Sequence, residues 1–347
     1  MSALANCTQL TNLEISTAAL APGWSDAIQD IRSLKQFAVG DFGESNVQFR
    51  EIKALAENPH LRQVRLGFYD STYAQYPLSP LEESPTGCTW RIKVDNLTPE
   101  MLEPLAANRD LDTLVVVCHT LTKDALLALN KSTSLRRLQV YIYDFPPEPK
   151  NNPDFGMLLK GCHNLELLEI CLNAEDPPVT DNDQLLNHGL EHLAHLPLLT
   201  NLILHGRLSA KDWEGVARLK NLRGLRCRGW YLGAAGSRQV AHLKSLSDLE
   251  ELELPFQEVD DNDLDVILSM PKLHWLEFDT WVTILPKLRL LADSPDFPAA
   301  LKEQIPAALR EFEKEAQSAD FHEHTTTVSI GWRKKLPSEW APNPGID

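Results

Sequence analysis

The sequence predicts an α/β solenoid. About eleven short units stack into a curved horseshoe with a parallel sheet on the concave side, helices on the convex side and a C-terminal helical cap. Three observations predict it. A short apolar pattern recurs along most of the chain, it recurs at near-regular intervals, and the stretches between carry helical spacing and helix-start residues.

The pattern is apolar, two variable, apolar, one variable, apolar. It reads Leu10, Leu13, Ile15; Leu34, Phe37, Val39; Leu61, Val64, Leu66; Leu111, Leu114, Val116; and Leu135, Leu138, Val140. It continues as Leu165, Leu168, Ile170; Leu199, Leu202, Leu204; Leu222, Leu225, Cys227; Leu249, Leu252, Leu254; and Leu273, Leu276, Phe278. The first positions recur every 23 to 34 residues, with one gap of 50 between Leu61 and Leu111. That gap has the length of two units, and within it Trp90, Ile92 and Val94 alternate as a degenerate strand.

Alternation at the last two apolar positions gives a short strand with one buried face. A helix must then bring the chain back. Trp24, Ile28 and Ile31 fall at helical spacing before Leu34, and Phe49, Ile52, Leu55 and Ala56 do so before Leu61. Thr98, Pro99 and Glu100 read as an N-cap, a proline at the first helical position and an acid in the first turn. Thr122 to Asp124, Ser209 to Asp212, and Asp260 with Asp261 mark further starts; Asn58-Pro59 and Met270-Pro271 mark stops. No unit can bury its strand and helix faces alone, so neighbours must stack into a continuous core.

These repeats resemble the leucine-rich-repeat superfamily over roughly residues 4 to 292. The helical returns look like its ribonuclease-inhibitor-like branch. The resemblance implies a binding scaffold and names no function. The superfamily usually carries Asn or Cys three residues after the third apolar position, where it bonds neighbouring turns. Here Asn173 fits, whereas Ala18, Phe42, Tyr69, His119, Tyr143, Arg207, Trp230, Gln257 and Trp281 do not, so the asparagine ladder is largely missing.

The organisation read from the chain is a solenoid over residues 1–292, a capping helix and edge strand over 293–330, and an irregular tail over 331–347. Leu301, Ile305, Leu309 and Phe312 mark the amphipathic capping helix, with Pro306 inside it, and residues 325–330 suit an edge strand. Residues 69–87, 144–154 and 175–184 read as insertions, which serve either as tolerated surface loops or as binding loops.

Composition narrows the function classes. The chain has 347 residues, a net charge of −16 and 43% hydrophobic residues. A core is expected, and nucleic acid and anionic membrane surfaces are not the expected ligands, since phosphate binding needs clustered Lys and Arg. A basic protein partner fits the charge, although solubility alone also accounts for it. The six cysteines, Cys7, Cys88, Cys118, Cys162, Cys171 and Cys227, form no C-x-x-C pair. Several occupy apolar repeat positions, so reduced thiols and a cytoplasmic location are expected. The first ten residues lack a signal-peptide pattern, and no run of about 18 apolar residues suggests a membrane span.

Motifs for chemistry are sparse. No nucleotide fingerprint or nucleophile elbow is present. Asp261, Asn262, Asp263 and Asp265 suggest a calcium loop, but Val266 replaces the needed glycine and Lys272 the bidentate acid. His322 and His324 lack a third ligand nearby, and His188, His192 and His195 form a stripe that reads as a solvated helix face. Leu336 to Trp340 resembles the opening of an F-box, yet only seven residues follow. No enzyme activity, cofactor or metal is expected.

The residues flanking the buried strand positions face the concave side. Trp, Tyr and Arg dominate binding hot spots. The candidate partner-binding residues are therefore Arg137, Tyr141, Arg226, Arg228, Trp230, Glu251, Glu253, Trp275, Glu277 and Asp279. The competing reading is that the tryptophans pack into the solenoid or its cap. The expected function is a non-catalytic protein-interaction module, such as an acidic inhibitor or an adaptor. The alternative is the recognition subunit of a ubiquitin ligase or a host-directed bacterial effector.

Overall fold

A computed structural model describes residues 7–15, 24–40, 49–67, 87–142, 154–172, 189–205, 208, 210–228, 237–254, 266–267, 269–280 and 326–331. The apolar pattern builds one sheet whose strands follow chain order. They are β1 (Asn12–Ile15), β2 (Gln36–Val39), β3 (Gln63–Leu66), β4 (Cys88–Leu97), β5 (Leu111–Leu121) and β6 (Arg137–Ile142). Then come β7 (Leu167–Leu172), β8 (Asn201–His205), β9 (Gly224–Arg228), β10 (Glu251–Leu254), β11 (Trp275–Thr280) and β12 (Thr326–Gly331). Strands β1 to β11 pair in parallel, and β12 runs antiparallel to β11. The architecture is an α/β leucine-rich-repeat solenoid.

Register carries the repeat across the sheet. Leu13, Phe37, Val64, Trp90, Leu114, Leu138, Leu168, Leu202, Leu225, Leu252 and Leu276 sit opposite one another in a continuous row. From Phe37 onward every member is buried. The degenerate unit is a full strand of ten residues, with Trp90 and Ile92 in the leucine places. One register slip separates Cys88 from Thr89 against β5, where Asp112 is the extra residue. Each buried leucine contributes roughly 1.5–3 kcal/mol before chain entropy is counted, so the shared row is what makes a unit hold only between neighbours.

The returns are short. They are α1 (Trp24–Gln29), α2 (Phe49–Ala56), α3 (Pro99–Ala107), α4 (Lys123–Ala128), α5 (Phe155–Leu158) and α6 (Ala210–Val216). The stretches Leu190–His195 and Ser237–Ser245 return as 3-10 turns instead. Helix α3 starts at Pro99 as its sequence suggests, but the Thr98 side chain makes no cap bond to the backbone. The Glu100 carboxyl is held below the ordinary range by its own backbone amide and by the Thr98 side chain. Asp154 does cap α5, accepting from Met157 N at 2.9 Å. Among the described residues no helix is long and apolar enough to cross a membrane.

A different ladder ties the units together. In four units the residue before the first apolar position reaches back to the preceding turn. Ser33 Oγ donates to the Leu10 carbonyl at 2.8 Å, Ser134 Oγ to Asn108 at 3.2 Å, Asn164 Nδ2 to Thr133 at 2.5 Å and Asn221 Nδ2 to Pro197 at 2.9 Å. These bonds lie at the strand starts, whereas the asparagine ladder of the superfamily lies past the strand ends. Of the positions read for that ladder, His119 is described and the other nine lie outside the described residues. So do the capping helix, most of the three insertions, the Asp261 to Asp265 motif, and His322 with His324.

Candidate functional site

Alternation along each strand sends one set of side chains into the helix-covered core and the other to the opposite face. On that opposite face, register forms three rows. One runs Arg137, Leu167, Asn201, Gly224, Glu251, Trp275. The second runs Gln139, Glu169, Ile203, Arg226, Glu253, Glu277. The third holds Tyr141, Cys171, His205 and Arg228. Neighbours within a row are about 4.8 Å apart.

Two clusters of polar side chains form on these rows. In the first, Glu169 is 1% exposed and takes bonds from three directions. Gln139 Nε2 donates to Oε2 at 2.6 Å and Tyr141 Oη to Oε1 at 2.8 Å. His205 Nε2 lies 2.8 Å from Oε1, and its ring stands 6.1 Å from that of Tyr141. Three polar partners replace the water that a buried carboxylate loses.

Arg226 is the centre of the second cluster. Its guanidinium is fully buried, with Nη2 3.3 Å from Glu251 Oε2 and Nε 3.7 Å from Glu253 Oε2. Its Cζ stands 5.6 Å from the ring centroid of Trp275, a cation–π contact in a desolvated place. Ile203 separates the clusters and packs with Leu167 as a small apolar core of its own.

Burial is the correction to the expected open concave surface. Arg226 is 0% exposed and Trp275 4%, and Tyr141 and Glu251 are buried too. Val115, Val117, Cys171 and Ile203, all on the same face, are buried as well. The centre of the sheet is thus packed on both faces, and these residues do not present an accessible surface in the chain by itself. Arg137 and Glu277 are half-buried, and Glu253 lies beside Arg226. Arg228 belongs to β9, and Asp279 pairs with Thr327 in β12. Trp230 lies outside the described residues.

Of the candidates, Arg226, Glu251, Glu253 and Trp275 come together in one cluster, whereas Tyr141 belongs to the other around Glu169. Glu169, Gln139 and His205 read from sequence as strand-flanking positions, not as a site. The signal for two-sided burial is present in the residues. Leu114 to Cys118 is an unbroken apolar run, and Leu165 to Leu172 is nearly one, as in strands covered on both sides.

The thiols follow the packing. All six cysteines are unbridged, and Cys7 is the exposed one. Burial pushes Cys118 and Cys162 up to about 12. Burial, helped by the charge of Glu169, does the same to Cys171. Cys227 is raised by burial and by Glu253. None of these is a poised nucleophile. Among the described residues no group of three or more His, Cys, Asp or Glu could hold a metal ion. His192 pairs with Asp154 at 2.8 Å.

No family model and no curated protein matches the sequence. Similar solved structures include a TLR13–ssRNA13 complex. It is 14% identical with a TM-score of 0.45, and the match covers 78% of this chain and 40% of that one. Another is the Toll–Spatzle complex of Drosophila, 12% identical with a TM-score of 0.42, covering 77% of this chain and 30% of that one. This chain therefore spans less than half the length of either neighbour. The fold assignment rests on the strand order and register given above.

Proposed function

We propose that the chain is a non-catalytic module that binds a protein partner, an inhibitor or adaptor in kind. The observation that carries this is the array itself: among the described residues, eleven parallel strands in chain order, displaying charged side chains along the strand-start edge of the sheet. Arg62, Arg136, Glu166, Arg223, Glu250 and Lys272 stand there in succession, each in an ion pair with another unit, next in line for all but Arg62, which reaches Asp110 two units on. A stacked array gives a contact surface longer than a compact domain of the same size. The net charge of −16 favours a basic protein over nucleic acid or an anionic membrane, and the reduced buried thiols suit the cytoplasm. The six α-helical returns favour the ribonuclease-inhibitor-like branch, and the 3-10 returns depart from it.

Arg228, Glu277 and Asp279, toward the C-terminal end of the sheet, remain part of the proposed contact surface. The test is affinity capture on the full chain, followed by titration calorimetry with the purified partner at rising salt. A one-to-one protein complex that weakens as salt rises supports the module. Selective retention of single-stranded RNA, or turnover of a screened substrate, contradicts it.

A further inference from the structure

The centre of the sheet is closed, so contact must be sought at its edges. At the strand-start edge of β7 to β9 an open groove of about 410 Å³ is lined by Glu166, Leu198, Thr200, Asn221, Arg223 and Asp248. Its polar backbone is already satisfied: Thr200 N donates to the Glu166 carbonyl at 3.0 Å and Arg223 N to the Thr200 carbonyl at 2.8 Å.

Two of its side chains set this groove apart. Leu198 occupies the place before the first leucine of its unit. In other units that place holds Ser33, Ser134, Asn164 or Asn221, which tie the turns together, the charged Asp110, Asp248 or Lys272, or the polar Gln9 and His60. A leucine can make no such bond, and this one is 46% exposed, the most open of the large apolar side chains among the described residues. Arg223 is the second exception. Arg136 is gripped by Glu166 through two nitrogens at 2.9 and 2.6 Å, and Lys272 by Asp248 at 2.5 Å. The nearest carboxylate oxygen to Arg223 is that of Glu250 at 3.9 Å, the arginine's charge also acts on Asp248, and the arginine side chain is 64% exposed. A planar guanidinium held this loosely keeps its fork for a second carboxylate.

We propose that this groove docks an extended segment of a partner protein, in which an apolar side chain rests on Leu198 and an adjacent internal Asp or Glu forks onto Arg223. The groove opens to solvent and is not an enclosed cavity. The proposal rests on the protein-interaction reading and names the place and chemistry of one contact. It also refines the charge argument: an acidic chain receives an acidic residue here because Arg223 is exposed and weakly paired.

The probe is an end-blocked tetrapeptide with leucine followed by aspartate at its centre, titrated into the full chain and followed by amide shifts in two-dimensional NMR. Shifts centred on Leu198, Thr200, Asn221 and Arg223 are expected. The same peptide with asparagine in place of aspartate should bind at least about 5-fold more weakly. Arg223→Gln should lower the affinity for the aspartate peptide to that of the asparagine peptide, and Leu198→Ser should weaken both peptides alike. Both residues are exposed, so both variants should melt as the parent does. No shifts at the groove, equal affinity for the two peptides, or an unchanged aspartate affinity in Arg223→Gln overturns the proposal. If Arg223→Gln still captures a protein partner with full affinity, the groove is refuted while the module reading stands.

Discussion

The first strands and the centre of the sheet treat the same strand positions differently. In β1 to β3 the side chains facing away from the core are Asn12, Glu14, Gln36, Ala38, Gln63 and Arg65; Asn12 and Glu14 are exposed, and Gln36, Gln63 and Arg65 half-buried. In β5 to β8 their equivalents include Thr113, Val115, Leu167, Glu169 and Ile203, all buried. Strand β9 places Arg226 there, also buried. One backbone geometry therefore serves two environments, and residue type at alternating positions decides which. Where the outward face is apolar the sheet has two cores. Where a charge lies on the closed part it comes with partners, since an unpaired buried charge is prohibitively costly.

This contrast orders the effects of substitution. Arg226→Ala removes the cation that neutralises two carboxylates in the closed region, so urea unfolding should show a loss of about 3–5 kcal/mol. A loss under about 1 kcal/mol would mean that water reaches Glu251 and Glu253. Glu169→Leu strands the donors of Gln139 and Tyr141 and the partner of His205, and about 2–3 kcal/mol should disappear, with Glu169→Gln recovering part of it. Along the strand-start ladder, Asn164→Ala deletes one bond to the Thr133 carbonyl and should cost about 1 kcal/mol. At the open end, Arg65 reaches across Ala38 to Glu14 at 3.8 Å, with Arg65 37% and Glu14 67% exposed. Arg65→Ala should change stability by no more than about 1 kcal/mol, and less in high salt. An Arg65 effect as large as that of Arg226 would erase the distinction between the open first strands and the closed centre.

Much of the fold was legible because the apolar period alone sets register. Leu114, Leu138 and Leu168 are opposite one another since each heads the same position of its unit, and Trp90 fills the same place in the damaged one. The site was far less legible. Residue type marks Arg226 and Trp275 as candidates for contact but leaves open whether the tryptophan is exposed or packed, because hot-spot composition does not distinguish a surface from a packed polar cluster. Glu251 and Glu253 lie 25 and 27 residues beyond Arg226, and only strand pairing brings them beside it. Glu169 has the same history, with partners 30 residues before and 36 after it. The ladder of Ser33, Ser134, Asn164 and Asn221 escaped notice because it sits ahead of the strands, where the superfamily pattern is not sought.

Cys171 tests the two-sided core most directly. It lies on β7 between Tyr141 and His205 on the face away from the helices, buried, with its thiol pushed up to about 12 by burial and by the charge of Glu169. A raised value keeps the thiol protonated at neutral pH, so attack needs both proton loss and access. The folded chain is treated with a maleimide at pH 7, and each cysteine peptide is followed by mass spectrometry. If the sheet is packed on both faces, Cys7 is labelled quickly while Cys171 stays protected until denaturant opens the fold. Labelling of Cys171 at the rate of Cys7 would show that this face is open to solvent and would contradict the two-sided core.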